Sequence, residues 1–298
     1  MEKKTIKLKR HESFSIREGW LEKGINIIKE NPSCFLKNQG PSNFGLGTNM
    51  VKSLKYWLEA CQIAEFNNTA SLTEFGELLY KYDRYLDDIF SWWLIHYFLS
   101  TNLDLAIVIN EFFNMDYNKT EKETFFTYLK EKLSKEYNLG ADSSLDSDIS
   151  VLFRTYYSDG EENPEINLNC PLAKLKLLNY QDKKYVKMSP KISELNYLIV
   201  FYSLYELAQP DFNENKPDFN LEDLIKKINN PLKIFNISLS TLMIYIDEMK
   251  SHKLVSLIKT AGLNTIKFLK PIKLADIFKI YYERWEGLNY VWFIYKYK

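Results

Sequence analysis

Proline and glycine are scarce, at 9 and 10 of 298 residues. That excludes collagen-like, Gly-rich repeat and low-complexity linker architectures. Cys34, Cys61 and Cys170 are odd in number, far apart and without a C-x-x-C pair. Neither a disulfide framework nor a zinc knuckle is expected, and the chain reads as one for a reducing cytoplasm. With 3 histidines in all, the sequence offers no His-based metal cluster. Charge of one sign is also missing: Lys+Arg and Asp+Glu both number 39, giving a net charge of zero. A globally basic nucleic-acid binder is not indicated, which leaves local patches. No apolar run reaches the roughly 20 residues of a membrane helix; the longest, Ile89–Leu99, is interrupted by Ser91 and His96. Lys3, Lys4, Lys7, Lys9 and Arg10 crowd the start, but His11, Glu12 and Ser13 follow instead of an apolar stretch, so no signal peptide and no membrane association are expected.

Apolar material is plentiful. Hydrophobic residues make up 46% and aromatics 15% of the chain, enough to offset chain entropy over long stretches. The length fits about two domains, or three small ones. Apolar residues recur at i, i+3 and i+4, so most segments read as helix. Helices are expected over 19–28, Thr48–Cys61, Asp87–Ser100, Leu105–Phe113, Glu121–Tyr137, Leu221–Ile228 and Ser240–Ser251. Thr48 is the expected cap of its helix, and the Ser71-Leu72-Thr73-Glu74 spacing of a capping box opens another toward Tyr80. Lys37–Gly45, Asp142–Asp148, Ser158–Asn169 and Gln209–Asn220 read as loops, the last as a domain boundary.

Two hairpins are expected. Ile63–Phe66 turns at Asn67-Asn68 toward Ala70–Leu72, and Leu254–Lys259 faces Asn264–Leu269 across a connection containing Gly262. Helix, helix, hairpin is the layout of a winged helix-turn-helix. The expected fold is therefore mainly α: a helical core with winged helix-turn-helix units near the N- and C-termini and short β-hairpin wings. Residues 1–82 form the first unit, 83–208 a helical middle domain and 209–298 the second winged-helix-like domain.

At 100° per residue, Thr48–Cys61 places Val51, Leu54, Leu58 and Cys61 on one side, flanked by Met50 and Trp57. Asn49, Lys52, Ser53 and Tyr56 fall opposite, with Lys55 near the seam and Arg17 and Lys37 flanking. Such side chains hydrogen-bond phosphates and base edges; the bland alternative is a solvated face. In the later unit, Leu242, Tyr245, Ile246 and Met249 are the expected core side. Asp247 and Glu248 on the other side repel phosphate, so Lys259 and Lys267 on the hairpin are the backbone-contact candidates, and protein contact competes with DNA contact.

Signals for chemistry are poor. Gly40 and Gly45 have a P-loop spacing, but Leu46-Gly47 stands where Lys-Ser/Thr is needed. Asp142, Ser144 and Asp146 start like a calcium loop that then lacks its Gly and Glu. Pro210-Asp211 with Glu214 and Lys216 resembles a nuclease signature only as letters, since it lacks the rigid strands such acids need. Asp83, Asp87 and Asp88 fit a helix N-terminus better than a divalent-ion site. His96, among Trp92, Trp93 and Tyr97, reads as a hydrogen-bonded core histidine. His11 and Glu12 are a polar pair near Arg17. Tyr156 and Tyr157 follow Arg154, and packing outweighs a phenolate nucleophile there.

Five blocks in order carry a resemblance. His11-Glu12-Ser13-Phe14 with Arg17-Glu18-Gly19-Trp20-Leu21-x-Lys23-Gly24 resembles the opening of the domain-of-unknown-function family 4007. Leu46-Gly47-x-Asn49-Met50-Val51-Lys52-Ser53-Leu54-Lys55-Tyr56-Trp57 resembles its next block. Leu72-Thr73-x-x-Gly76-x-x-Leu79 follows, then Tyr85-Leu86-Asp87-Asp88 with Trp92-Trp93-Leu94-Ile95-His96, and Asn169-Cys170-Pro171-Leu172. That family is similar to the SspB-type component of bacterial DNA phosphorothioation systems, which replace a non-bridging phosphate oxygen by sulfur in defence against phage. The resemblance implies DNA as partner, along with a cysteine desulfurase and an ATP-using sulfur-transfer enzyme, and a strand-nicking role with a divalent ion such as magnesium or manganese. No cofactor motif is evident in the residues themselves. The expected DNA contacts are Arg17, Lys23, Asn49, Lys52, Ser53, Lys55, Tyr56, Lys259 and Lys267. His11, Glu12, Asp87 and Asp88 are the candidate catalytic residues, and no metal ligand is assigned. The alternative is a non-catalytic winged-helix scaffold for protein partners.

Overall fold

The computed structural model describes residues 3–36, 39–158, 170–209, 218–260, 263–269 and 271–283. Lys37, the acidic stretch after Ser158, the Pro210/Asp211/Glu214/Lys216 motif and the Ala261-Gly262 turn lie outside the described residues.

The chain is mainly helical with small β-sheets. The first helix, Trp20–Glu30, buries Trp20, Leu21, Gly24, Ile25 and Ile28 along one stripe. Gly24 is small for a reason: a Cβ there would lie 2.7 Å from Leu58 Cδ1. The stretch expected as the Lys37–Gly45 loop holds a five-residue helix, Gly40–Phe44, started by Pro41 near its N-terminus and closed by Gly45 in the left-handed region. The next helix is Thr48–Ala60, and its N-cap is Gly47, not Thr48. The hairpin Ala64–Phe66/Ala70–Leu72 follows in the expected place, with Ala64 opposite Leu72. Thr73, not Ser71, caps the helix Glu74–Tyr82, its Oγ1 accepting from the Gly76 amide at 3.1 Å. The capping-box spacing thus points two residues too early. At Gly76 a Cβ would stand 2.1 Å from the Ile63 carbonyl oxygen.

The centre is Ile89–Thr101, where every residue from Phe90 to Ser100 is buried. A helix apolar all round must be enclosed on all sides. Around it lie Ile107–Asn114, Asp142–Tyr156 and Tyr197–Ala208. Asp142–Asp148, expected as a connection, is the first half of a helix. Its Ser/Asp opening hides the stripe of Leu145, Ile149, Leu152 and Tyr156, and acids suit a first turn. His96 is hydrogen-bonded in the core: Tyr156 Oη lies 2.9 Å from Nδ1 and the Ile234 carbonyl 2.9 Å from Nε2. The carbonyl only accepts, so Nε2 carries the proton and the Tyr156 hydroxyl donates to Nδ1. Burial lowers the His96 pKa to about 4.

Two further sheets escape the sequence reading. Lys4–Thr5 pairs in parallel with Tyr137–Asn138, which shortens the expected Glu121–Tyr137 helix to Lys122–Leu133. Leu178–Gln181, Lys184–Lys187 and Lys119–Thr120 form a three-stranded antiparallel sheet. Its tight turn is Asp182-Lys183, both at positive φ (51° and 62°). That turn favours Asn-Gly, so its sequence signal is weak.

Near the carboxyl end the order is strand Asp218–Asn220, short helices Leu221–Leu224 and Pro231–Ile234, helix Leu239–Ser251, then the hairpin Val255–Thr260/Leu263–Phe268. Leu263–Phe268 is the central strand. Residues 274–283 form a helix that returns to the first half of the chain. Tyr281 stacks on Phe90 at 3.9 Å, and Phe278 lies 6.2 Å from Phe75. Among the described residues no helix is long and apolar enough to cross a membrane. All three cysteines are buried and free.

Candidate nucleic-acid interface

The outer side of Thr48–Ala60 presents Asn49, Lys52 and Lys55 to solvent. Ser53 and Tyr56, expected beside them, are buried: Ser53 is 0% and Tyr56 6% exposed. Helical periodicity places Tyr56 correctly on the side away from the helix's own core. What buries it is the N-terminal segment, which crosses that side. Arg10 lies 5.7 Å above the Tyr56 ring, His11 meets it edge-on at 5.7 Å, and the Tyr56 hydroxyl donates to the Leu105 carbonyl at 2.8 Å. Burial raises the Tyr56 pKa far above a free phenol's, so it stays a neutral donor. Ser53 Oγ has no hydrogen-bond partner among the described residues.

The segment and the helix are tied by charge. Arg10 meets Glu59 at 2.7 Å and Glu12 meets Lys52 at 3.4 Å. Lys52 Nζ also reaches Asn49 Oδ1 at 3.5 Å. Both Lys52 and Lys55 keep exposed ammonium groups, and Lys55 rests 4.7 Å over the Phe66 ring. Arg17 is held 5.2 Å from Phe14 and 5.4 Å from Trp20. Partial burial lowers its pKa, and a guanidinium remains a cation regardless. Lys23 is exposed and donates to the Phe44 carbonyl at 3.3 Å. Arg17, Lys23, Asn49, Lys52 and Lys55 thus sit on the Trp20–Glu30 and Thr48–Ala60 helices and the segment before them. Lys259 and Lys267 lie far along the chain on the carboxyl-end hairpin, where Lys267 faces Asp218 at 4.0 Å.

The candidate catalytic residues are not brought together. His11 is 3% exposed. Its Nδ1 accepts from the Ser13 amide at 3.1 Å, so Nε2 carries the proton and donates to Asp148 Oδ1 at 2.8 Å. Both ring nitrogens are occupied in holding the segment. Glu12 is engaged by Lys52. Asp83 accepts the amides of Asp87 and Asp88 at 3.0 and 3.2 Å, and Asp88 caps the central helix through the Phe90 amide at 2.9 Å while accepting from the Tyr281 hydroxyl. Asp87 is exposed and borders a 150 Å³ pocket with Glu18 and Glu22. Glu22 is held above the usual carboxylate range by burial first, then by Asp87 and Glu18. Glu18 is paired with Lys174 at 2.9 Å. Among the described residues no three His, Cys, Asp or Glu side chains converge as ligands.

On the carboxyl-end helix Leu239–Ser251, Leu242, Tyr245, Ile246 and Met249 are buried, as their periodicity predicts. Its outer side exposes Ile244 and Leu239 beside Asp247 and Glu248. That side mixes apolar and acidic groups and does not suit phosphate.

The sequence reading missed Lys187. The strand that carries it, Lys184–Lys187, reads Lys-Tyr-Val-Lys and has no polar/apolar alternation, so nothing in the sequence signals it. Lys187 is 6% exposed and donates to the Phe113 and Met115 carbonyls at 3.2 and 2.9 Å. Burial, reinforced by Lys233, pulls its pKa down to about 7.

No curated protein matches the sequence. Two solved structures match the fold. A magnesium ion-bound SspB crystal structure has a TM-score of 0.84 at 21% identity, covering 94% of this chain and 89% of that one. A second SspB crystal structure has a TM-score of 0.83 at 21% identity, with 95% and 89% coverage. The model of the family described as protein of unknown function (DUF4007) matches residues 8–282; the chain belongs to that family.

Proposed function

We propose that this chain is the DNA-binding component of a bacterial DNA phosphorothioation system. The observation that carries the reading is the exposed Asn49/Lys52/Lys55 side of the Thr48–Ala60 helix. It offers cations to phosphates and an amide to a base edge. The fold shared with SspB and the family membership support the pathway. The partners that go with it are a cysteine desulfurase and an ATP-using sulfur-transfer enzyme, in the cytoplasm. The element order of helices followed by a hairpin supports winged-helix units at both ends, with units at 1–82 and 209–298 around a helical middle. Strand nicking belongs to the same pathway reading; His11, Glu12, Asp87 and Asp88 are not gathered at one place, so no catalytic residue is assigned.

The test is DNA affinity across a salt series for the full chain, Lys52→Ala and Lys55→Ala. Each lost phosphate contact lowers the slope of log K against log salt by about 0.9. Unchanged affinity and slope in both variants eliminate this face.

A second reading, docking of protein partners, is favoured at one place. Ile244 is 50% and Leu239 47% exposed beside Asp247 and Glu248. Co-purification of pathway partners with and without nuclease treatment separates a direct protein contact from one bridged by DNA.

A further inference from the structure

The segment that straps the Thr48–Ala60 helix is strained. Lys9, Glu12 and Ser13, three of five successive residues, stand in the left-handed region at φ of 62°, 50° and 68°. None is a glycine, so each conformation costs free energy and lasts only where its surroundings over-determine it. Here they do. The Lys9 amide and His11 Nε2 share Asp148 Oδ1, both at 2.8 Å. The Ser13 amide donates to His11 Nδ1 at 3.1 Å, and Arg154 donates to the Ser13 carbonyl at 2.9 Å. Ser13 Oγ meets Ser147 Oγ at 3.1 Å. Trp57 Nε1, from the helix beneath, donates to the Phe14 carbonyl at 3.0 Å. Covering the Tyr56 ring does not by itself require left-handed residues.

What the turn at Glu12-Ser13 delivers is a carboxylate. Two carboxylates meet at the strap: Glu59, matched by Arg10 at 2.7 Å, and Glu12, whose Oε1 lies 3.4 Å from Lys52 Nζ. The Glu12 and Lys52 side chains are 33% and 57% exposed, so the pair sits at the surface. Lys52 Nζ also reaches Asn49 Oδ1 at 3.5 Å. Two of the three outward residues of the face are thus engaged within the molecule, while Lys55 makes no ion pair among the described residues. An exposed pair is usually weak because two long side chains must be ordered to form it. Here one partner springs from a pinned backbone, which lowers that cost.

We infer that Glu12 is a built-in competitor for DNA phosphate at Lys52, an autoinhibitory contact set by the strap. Its carboxylate holds the ammonium as a phosphate oxygen does, and DNA engages Lys52 only as Glu12 gives it up. The strap backbone stays in place, since its bonds to Asp148, Arg154 and Trp57 do not involve the Glu12 side chain. The inference rests on the DNA-binding reading above and adds a regulation of that face.

The test is a double-mutant cycle on the duplex-DNA affinity of the full chain: parent, Glu12→Gln, Lys52→Ala and the two together. Glu12→Gln keeps the shape and removes the charge. It is expected to tighten binding by about three- to fivefold at low salt, the upper part of the range for an exposed pair. The gain shrinks as salt rises and screens the pair. In the Lys52→Ala background the same substitution is expected to change affinity by less than about 1.5-fold, because the group it competes for is gone. An equal gain in both backgrounds comes from net charge or from a loosened strap and overturns the competitor. If Glu12→Gln binds no tighter than the parent while Lys52→Ala binds more weakly, the competitor is overturned and the DNA reading stands. If neither substitution changes affinity, or if neither the parent nor Glu12→Gln binds, both proposals fall.

Discussion

His11 and Asp148, 137 positions apart in sequence, meet through one hydrogen bond of 2.8 Å. The same carboxylate oxygen accepts the Lys9 amide at 2.8 Å. One acid thus pins the segment that covers Tyr56 and frames the exposed lysines. Replacing Asp148 by Ala leaves a buried imidazole N–H and a backbone amide without an acceptor. The expected cost is about 1–3 kcal/mol. Urea unfolding reads that loss, and faster amide exchange at Lys9 and Ser13 identifies the segment as its origin.

Lys187 gives a pH signature. Its folded pKa of about 7 is below the ordinary 10.5, so the unfolded chain binds this proton more tightly. The charged form penalises the folded state fully below pH 7, and the penalty fades as pH rises toward the unfolded value. Stability of the parent minus that of Lys187→Met should rise by a few kcal/mol from about pH 7 to about pH 10. A flat difference in urea unfolding over that range means that the ammonium is not buried as described.

His96 has the same kind of depressed folded pKa, in an acidic window. Its folded pKa of about 4 lies below the ordinary 6.5, so its stabilising effect is complete above the unfolded value and is lost as pH falls from about 6.5 to about 4. The loss amounts to about 3 kcal/mol. His96→Gln should remove that part of the acid sensitivity in thermal unfolding at matched pH values.

The two packed glycines differ in what blocks them. Gly24→Ala meets the flexible end of Leu58, which can turn aside, whereas Gly76→Ala meets the Ile63 carbonyl on the backbone. Gly76→Ala is expected to cost at least about 2 kcal/mol and Gly24→Ala less. The order of the two midpoints in a denaturant titration checks this.

The helices were legible because burial writes its own period. Leu242, Tyr245, Ile246 and Met249 repeat at helical spacing and are all inside, and both expected hairpins stand within a residue or two of their places. The proposed DNA face was legible only by half. Asn49, Lys52 and Lys55 face out, but no rule of a single helix announces that residues 10 and 11 will lie across Tyr56. The Lys184–Lys187 strand was hidden for another reason: its turn uses Asp182-Lys183 where Asn-Gly would have marked it. Lys187 was hidden with it, since a buried lysine is read from its surroundings and not from its letter.

The aromatic clasp of Tyr281 on Phe90, with Phe278 near Phe75, ties the last described helix to the Glu74–Tyr82 and Ile89–Thr101 helices. The last described helix belongs, by packing, to the first third of the chain. Cutting near residue 209 would strip rings from both pieces and leave each with a sticky scar.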